Sequence, residues 1–342
     1  MLTLLLALPA ANAASAATVC RPGEAIAEEG FVRIGGIDQW VAVRGRDCGN
    51  PIVLIVHGGP GNPSTPFASN VYGQWEKEFT LVQWDQRGAG KTYERASAPE
   101  AMALTMSQLA QDGVEVATYA AARLGKRQVI LFGGSWGSAL AVHMLKLKPD
   151  LFAAYQGSSQ LVEYRRNVSA SYLLILEKTR AAGDEEALAA LGALGPPPWR
   201  DPRAFGTVRR ITRRYEAKAT QPAPAEWWNF PAPYSTEAYT AAYTAGEDYS
   251  YIQFVGMEGN GMLSRIDLPA LGTTFPMPVF LIQGKEDLIT VPSVTKSYFD
   301  QIDAPVKRYV LLDDVGHDPN PLLVDAQYRI LKEEIAPLLY GD

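Results

Sequence analysis

The amino-acid sequence predicts an α/β protein in which a mostly parallel sheet is covered by helices on both faces and interrupted late by a mostly helical segment. Short apolar runs alternate with amphipathic helical patterns before residue 158 and again after residue 277. Between them, residues 158–277 hold no comparable run, and helical and Pro-rich pieces dominate. Strands that alternate with helices are typical of a parallel sheet buried on both faces. We therefore expect one α/β domain, 18–157 and 278–342, with a helical cap, 158–277.

Length and composition fit this organisation. The chain has 342 residues, of which 47% are hydrophobic and 20% are charged, as in an ordinary globular protein. Its net charge of -6 argues against a nucleic acid as partner. One basic cluster, Arg209, Arg210, Arg213 and Arg214, has helical spacing and predicts a solvated helix face without a binding function.

The first 17 residues have the pattern of a bacterial-type secretory signal. An apolar run over 2–8 is followed by small residues that offer A-x-A cleavage sites ending at Ala13 or Ala16. A membrane anchor needs about 18 or more apolar residues, so we expect no stable membrane insertion. The pattern indicates an exported protein, either periplasmic or secreted.

The two cysteines, Cys20 and Cys48, are expected to form a disulfide, because export brings a chain into an oxidising compartment. Between them, residues 31–45 predict a hairpin that turns at Gly35 and Gly36 and so brings its flanks together. In the chain-entropy description, closing a loop of this length destabilises the unfolded state by roughly 3 to 4 kcal/mol.

Further apolar runs predict the remaining strands in chain order. These runs begin at Pro51, Phe79, Val129, Leu151, Pro278 and Val306. A long amphipathic pattern over 105–124 predicts a helix before the strand at Val129, and a second pattern over 324–339 predicts the helix that closes the chain.

The strand at Val129 runs directly into the sequence GGSWG at 133–137. Glycines on both sides of a serine, with G-x-S-x-G spacing, allow a sharp strand-to-helix turn that presents the serine hydroxyl above the sheet. Ser135 is therefore a candidate nucleophile. An ordinary turn with Ser135 as the helix N-cap explains the same five residues, so the partner groups must decide between the two interpretations.

A nucleophilic serine needs a histidine base and a carboxylate that orients the base. His317 follows the last predicted strand, where a loop reaches the carboxyl edge of the sheet, and is the expected base. His143 lies too far along the helix after Ser135 to turn back to the hydroxyl, and we expect it to be structural. Asp287 follows the strand after the insert and is the expected acid, in preference to its neighbour Glu286, whose side chain must point the other way.

An acyl-transfer reaction also needs backbone N–H donors for the oxyanion, one from the residue after the nucleophile and one from the loop after an earlier strand. Trp136 supplies the first. The second is expected in the loop HGGPG at 57–61, where Gly58 and Gly59 both let the backbone approach a substrate.

Together these motifs resemble those of the α/β-hydrolases of the proline iminopeptidase family. The matching positions are HGGPG at 57–61, DQRG at 85–88, GGSWG at 133–137, Gly284 with Asp287, and Gly316 with His317. They span most of the expected catalytic domain, and the first three in combination are highly specific.

The resemblance implies a triad of Ser135, His317 and Asp287 beneath a cap domain. It assigns the oxyanion donors to Trp136 and Gly59, with Gly58 as the near alternative. It also implies structural roles for His57, which would shape the HGGPG loop, and for Arg87, which would brace the loops beside the site.

Substrate recognition departs from the family pattern. Members that release an N-terminal proline hold its free amine with cap glutamates, and their local sequence pattern is absent from this cap. Glu258 and, after it, Glu247 are the candidate carboxylates, each with a solvated surface residue as the alternative. Nine aromatic residues between Trp227 and Phe254 suit a proline ring or an aromatic or acyl ester group, or else form the core of the cap.

The expected function is a serine hydrolase that cleaves N-terminal residues from small peptides or amides through an acyl-enzyme. A carboxylesterase or lactone hydrolase acting on small esters is the alternative, and a non-catalytic binding protein on the same fold is a third interpretation. The expected partner is a small molecule or a short peptide. We expect no cofactor and no metal, because three scattered histidines and two paired cysteines offer no ligand cluster.

Overall fold

The computed structural model describes residues 20–96 and 104–340, so the predicted signal segment lies outside it. Its eight strands form one sheet in the order β1-β2-β4-β3-β5-β6-β7-β8. The strands are β1 (Ile26–Ile34), β2 (Ile37–Gly45), β3 (Ile52–Val56), β4 (Thr80–Trp84), β5 (Val129–Gly134), β6 (Phe152–Ser158), β7 (Val279–Gly284) and β8 (Lys307–Leu312). The predicted α/β class is confirmed.

Most of the sheet is parallel. Strands β1 and β2 form the predicted antiparallel hairpin, with Gly35 and Gly36 at its turn in positive φ, and β2 runs antiparallel to β4. All the remaining pairs, from β4–β3 to β7–β8, are parallel. The carboxyl ends of these parallel strands therefore meet at one edge, where the predicted site residues follow β3, β5, β7 and β8.

The helices are α1 (Ala68–Tyr72), α2 (Gly90–Arg95), α3 (Met106–Arg123), α4 (Trp136–Leu147), α5 (Tyr164–Ala181), α6 (Glu185–Leu194), α7 (Pro202–Glu216), α8 (Glu237–Val255), α9 (Pro292–Gln301), α10 (Pro321–Ile330) and α11 (Ala336–Tyr340). A π-helical segment, Leu331–Ile335, joins the last two. The closing helix begins three residues earlier than the apolar pattern predicts. Asn320 caps it by accepting a hydrogen bond from the Leu323 N–H at 3.0 Å, and Pro321 takes the first helical position.

The central strands are buried on both faces. Every residue of β3, β4 and β7 is buried, and successive residues of a strand enter different cores. Leu54 of β3 packs with Leu131 of β5 on the face covered by α3 and α4. Val53 packs with Phe132 on the opposite face, against the C-terminal helices.

Between β6 and β7 the chain forms helices α5 to α8. Residues 159–278, all of which the structure describes, contain no strand beyond isolated single-residue bridges. Part of this insert has a core of its own, in which Ile175 of α5, Leu191 of α6 and Ile211 of α7 pack together. We call this insert the cap.

Cys20 and Cys48 form the predicted disulfide, which ties the start of the described chain to the loop after β2. Over residues 20–96 and 104–340, none of the helices combines the length and the apolar character that crossing a membrane requires.

Candidate active site

Ser135 lies on a sharp turn between β5 and α4, with φ 52° and ψ -123°. This backbone conformation costs a non-glycine residue about 1 to 3 kcal/mol, so the surroundings must impose it. The flanking glycines are required by space, because a Cβ on Gly133 would lie 2.6 Å from the carbonyl oxygen of Gly137, and one on Gly137 would lie 2.1 Å from that of Val56. A Cβ on Gly134 would meet nothing closer than 3.9 Å, so this third glycine is not sterically required.

The three residues predicted to form a triad lie in hydrogen-bonding contact. Ser135 Oγ is 2.9 Å from His317 Nε2, and His317 Nδ1 is 3.1 Å from each carboxylate oxygen of Asp287. Ser135 makes no side-chain capping bond to α4, so the N-cap interpretation of the serine does not describe its hydroxyl. Loops after β5, β7 and β8 thus converge at one edge of the sheet.

Asp287 is fully buried and its carboxylate is saturated with donors. Oδ1 accepts from the N–H groups of Ile289 (2.9 Å) and Thr290 (2.7 Å), and Oδ2 accepts from Thr290 Oγ1 (2.6 Å) and Gln283 Nε2 (2.8 Å). Burial alone would raise the pKa of Asp287, but the charge and hydrogen bond of His317 and the bonds from Thr290 hold it below its ordinary 3.8. The carboxylate therefore stays ionised beside the imidazole.

His317 is also buried, and two effects oppose each other on its ring. Burial would lower the pKa of His317, whereas the charge and hydrogen bond of Asp287 raise it, and the net result lies above the ordinary 6.5. With Asp287 accepting the Nδ1 proton, Nε2 keeps a lone pair facing the Ser135 hydroxyl. This arrangement can take a proton from the serine and stabilise the imidazolium that results.

The expected oxyanion donors lie beside the serine. Trp136 is the first residue of α4, so its N–H has no acceptor within the helix. Gly59, with φ 110°, lines a small cavity together with Ser135 and Trp136. Gly58 lines a second, larger cavity with Ser135 and packs on the turn that carries the serine, since a Cβ there would lie 3.3 Å from the Gly134 carbonyl oxygen.

His57 holds the oxyanion loop to its neighbours. The Gln86 N–H donates to His57 Nε2 at 3.2 Å, and the Nδ1 of His57 contacts the Gly58 carbonyl at 2.8 Å. The Gln86 amide donates to the His57 carbonyl at 3.0 Å and accepts from the Trp136 indole N–H at 3.0 Å. Burial lowers the pKa of His57 to about 4, so the ring is neutral. These bonds join the HGGPG and DQRG segments to the GGSWG turn that carries Ser135.

Arg87 and His143 both lie away from the serine hydroxyl. Arg87 donates to the buried carboxylate of Asp112 at 2.9 Å and to the Gly35 carbonyl at 2.7 Å, which fastens the β1–β2 turn to α3. His143 is half-buried on α4, and burial lowers its pKa.

Two cavities share Ser135 and His317 as wall residues. The larger, about 1260 Å³, lies between the cap and the carboxyl edge of the sheet. The smaller, about 120 Å³, has mostly apolar walls. Its apolar wall residues include Leu161, Val168, Trp199, Phe205, Phe254 and Leu263.

Of the two candidate amine-binding glutamates, one lines a cavity and the other does not. Glu247 on α8 is half-buried and lines the larger cavity. Glu258 is exposed and lines neither cavity, because α8 ends at Val255 and Gly256, with φ 77°, turns the chain away. The structure therefore does not bring Glu258 to the site.

The cap aromatics divide between the two roles that the sequence left open. Trp228, Phe230 and Tyr243 line the larger cavity, whereas Tyr234 and Tyr239 are buried within the fold.

Sequence reasoning missed Glu216, which ends α7 and reaches from the cap to the loops that carry Asp287 and His317. Its Oε1 accepts from the Leu288 N–H at 2.6 Å and its Oε2 from the His317 N–H at 3.4 Å. Burial, and after it the charge of Asp287, raises the pKa of Glu216 to about 7.

Three of the four arginines expected on a solvated face of this helix, Arg210, Arg213 and Arg214, are exposed, whereas Arg209 is half-buried. Arg209, Arg210 and Arg213 line the larger cavity, and Arg209 lines the smaller one as well. Positions 209, 213 and 216 follow i, i+4, i+7 spacing, which places them on one helix face. That signal was available in the sequence, but the pattern does not say which surface the face meets.

A family model for the alpha/beta hydrolase fold matches residues 51–321. The chain belongs to this family. The predictions of the fold family and of a hydrolase are thereby confirmed.

Curated relatives resemble the chain over most of its length. A probable aminopeptidase, YbaC, of Bacillus subtilis (strain 168) is 28% identical over 291 residues, which are 84% of this chain and 89% of the relative. The proline iminopeptidase of Lactobacillus delbrueckii subsp. lactis is 26% identical over 296 residues, 85% of this chain and 92% of the relative. The chain is thus similar to aminopeptidases at modest identity.

Among solved structures, that of proline iminopeptidase from Mycobacterium smegmatis superposes with a TM-score of 0.62 at 16% identity, covering 92% of this chain and 100% of that one. A proline iminopeptidase-related protein from Thermus thermophilus has a TM-score of 0.57 at 20% identity, covering 92% and 97%. At these identities the likeness shows the shared fold.

Proposed function

We propose that this chain is a serine hydrolase in which Ser135 is the nucleophile, His317 the general base and Asp287 the group that orients the base. The observation that carries the proposal is the continuous chain of contacts, 2.9 Å from Ser135 Oγ to His317 Nε2 and 3.1 Å from Nδ1 to Asp287. The strained turn at Ser135, which exposes the hydroxyl to both cavities, also supports the proposal.

The reaction follows from these positions. Ser135 Oγ bonds to the substrate carbonyl carbon while its proton passes to His317 Nε2, and the oxyanion is stabilised by the N–H groups of Trp136 and Gly59. His317 then gives the proton to the leaving amine or alcohol as the carbonyl carbon loses its bond to that group. Water then gives a proton to His317 as its oxygen bonds to the acyl carbon, and His317 returns that proton to Ser135 Oγ as the acyl bond breaks and a carboxylic acid is released.

The substrate class that we propose is the N-terminal residue of a small peptide or amide, as in a proline iminopeptidase. Similarity to proteins named as aminopeptidases supports it. Glu247, half-buried on the wall of the larger cavity, is the carboxylate that we propose accepts the free amine.

A carboxylesterase or lactone hydrolase is favoured by a different observation. No Asp or Glu of the described residues lines the smaller cavity beside Ser135, so a group seated there meets mostly apolar walls. An uncharged acyl or alkyl group fits such a wall better than an ammonium group does.

A side-by-side panel separates the two substrate classes. Prolyl arylamides and short-chain nitrophenyl esters are offered to the wild type and to Ser135→Ala, which reports background turnover. Amide turnover comparable to ester turnover supports the aminopeptidase, whereas ester turnover without amide cleavage replaces it with the esterase. Turnover that survives in Ser135→Ala contradicts the role of the serine in both.

We further propose that the protein is exported. The Cys20–Cys48 disulfide supports this, because such bonds persist in oxidising compartments. Fractionation of expressing cells tests it: we expect the mature chain in the periplasm or the medium, and retention of all of it in the cytoplasm with reduced cysteines contradicts the proposal.

A further inference from the structure

Arg209 on α7 is the only Lys, Arg, Asp or Glu of the described chain that lines both cavities. Arg209 is half-buried, and within residues 20–96 and 104–340 its guanidinium forms neither a hydrogen bond nor an ion pair. Withdrawing a charge partly from water without a partner is unfavourable, so this cation beside a candidate nucleophile has unused capacity to bind an anion.

The neighbouring charges do not supply that partner. Asp318 pairs with Arg213 at 2.8 Å. Glu216 is held by the backbone N–H groups of Leu288 and His317. Glu247 lines the larger cavity but lies beyond ion-pair distance of Arg209 in the described chain.

Among the hydrogen-bond donors on the wall of the smaller cavity, Arg209 again stands out because its donors are unused. The Asn167 amide is already used, since it donates to the Ile289 carbonyl at 2.6 Å and accepts from the Val291 N–H at 3.0 Å. The Ser171 hydroxyl is likewise bonded to a backbone carbonyl. Arg209 is therefore the charged donor left free to meet a bound molecule there.

We propose that Arg209 binds a carboxylate carried by the substrate. A guanidinium presents parallel N–H donors whose spacing matches the two oxygens of a carboxylate. The inference rests on the proposed function in taking Ser135 as the reacting group. The substrate class narrows accordingly to short peptides with a free C-terminal carboxylate, or to small esters that carry a carboxylate.

Binding to Ser135→Ala tests this without depending on turnover. The probes are 3-phenylpropionate and its neutral isostere 3-phenylpropanamide, each with a ring suited to the apolar walls, measured by titration calorimetry. We expect the carboxylate to bind about tenfold to a hundredfold more tightly, because hydrogen bonds to charged groups contribute that much. Adding Arg209→Gln should remove the difference, and adding Arg209→Lys should keep part of it.

Arg214→Gln is the matched control. Arg214 stands on the same helix, carries the same charge and pairs with Asp184 outside the cavities, so its loss should leave the preference intact. Equal affinity for the two probes, no measurable binding of the carboxylate, or a preference that survives Arg209→Gln overturns the inference.

A second arm separates this inference from the proposed function. The wild type is offered prolyl-alanine and prolyl-alanine amide. We expect cleavage of both, with KM about tenfold or more lower for the free acid, and a loss of that advantage in Arg209→Gln. Cleavage without a KM difference contradicts the carboxylate site alone. Selective carboxylate binding without cleavage of any amide or ester contradicts the hydrolase alone.

Discussion

Replacing Gly137 by alanine disturbs the two segments that the proposed mechanism needs at once. The new Cβ would lie 2.1 Å from the Val56 carbonyl oxygen and 2.7 Å from that of His57, at the end of β3 where the oxyanion loop begins. Both neighbours are backbone atoms and cannot rotate away, so the serine turn and the loop that carries Gly59 must move apart by about 1 Å, the size of displacement that costs on the order of a hundredfold in rate.

We therefore expect Gly137→Ala to lower kcat for a short-chain nitrophenyl ester about a hundredfold or more. Overpacking should also reduce the free energy of unfolding by about 1 to 3 kcal/mol, as measured by urea denaturation. Gly134→Ala is the matched control in the same turn. Its Cβ would meet nothing within 3.9 Å, so stability should stay within about 0.5 kcal/mol of wild type. Wild-type kcat in Gly137→Ala would refute the reasoning.

Four further outcomes follow from the contacts around the site and from the disulfide. Asp287→Asn should lower kcat on the order of 10⁴-fold, because the amide no longer holds the imidazole in the reactive tautomer, and an unchanged kcat would contradict this. Activity should rise with pH as His317 loses its proton, with a midpoint above its ordinary 6.5. Glu216→Gln removes a charge that raises the His317 pKa, so this midpoint in the kcat/KM profile should fall while the high-pH plateau persists; an unmoved midpoint argues against the electrostatic role. Replacing both Cys20 and Cys48 by serine should cost roughly 3 kcal/mol in chemical denaturation without changing kcat, and a loss of kcat in folded protein would contradict a purely structural disulfide.

The sheet and the contacts of Ser135 with His317 and of His317 with Asp287 were predictable because their signals are local. A buried parallel strand is a continuous apolar run, and the carboxyl ends of such strands meet at one edge, so the loops after β5, β7 and β8 all begin at that edge. The G-x-S-x-G spacing is likewise dictated by space, as the contacts of Gly133 and Gly137 show.

The cap was predictable only as a set of helices. Arg209 and Glu216 share a face of α7, but whether that face meets solvent or a cavity depends on how the helix packs over the sheet, which no periodicity encodes. The expectation that Glu258 lies at the site was wrong for a related reason. The turn at Gly256 directs this residue outward, although the preceding helix α8 lines the cavities.

Labelling by a fluorophosphonate tests most directly whether Ser135 is an activated nucleophile. Intact-mass and peptide mass spectrometry of the folded protein should show one adduct, on the peptide that contains Ser135. The adduct should be absent in Ser135→Ala and in acid-unfolded protein, and slow in Asp287→Asn. A folded wild type that takes no label, or takes it on another serine such as the neighbouring Ser138, would contradict the central claim.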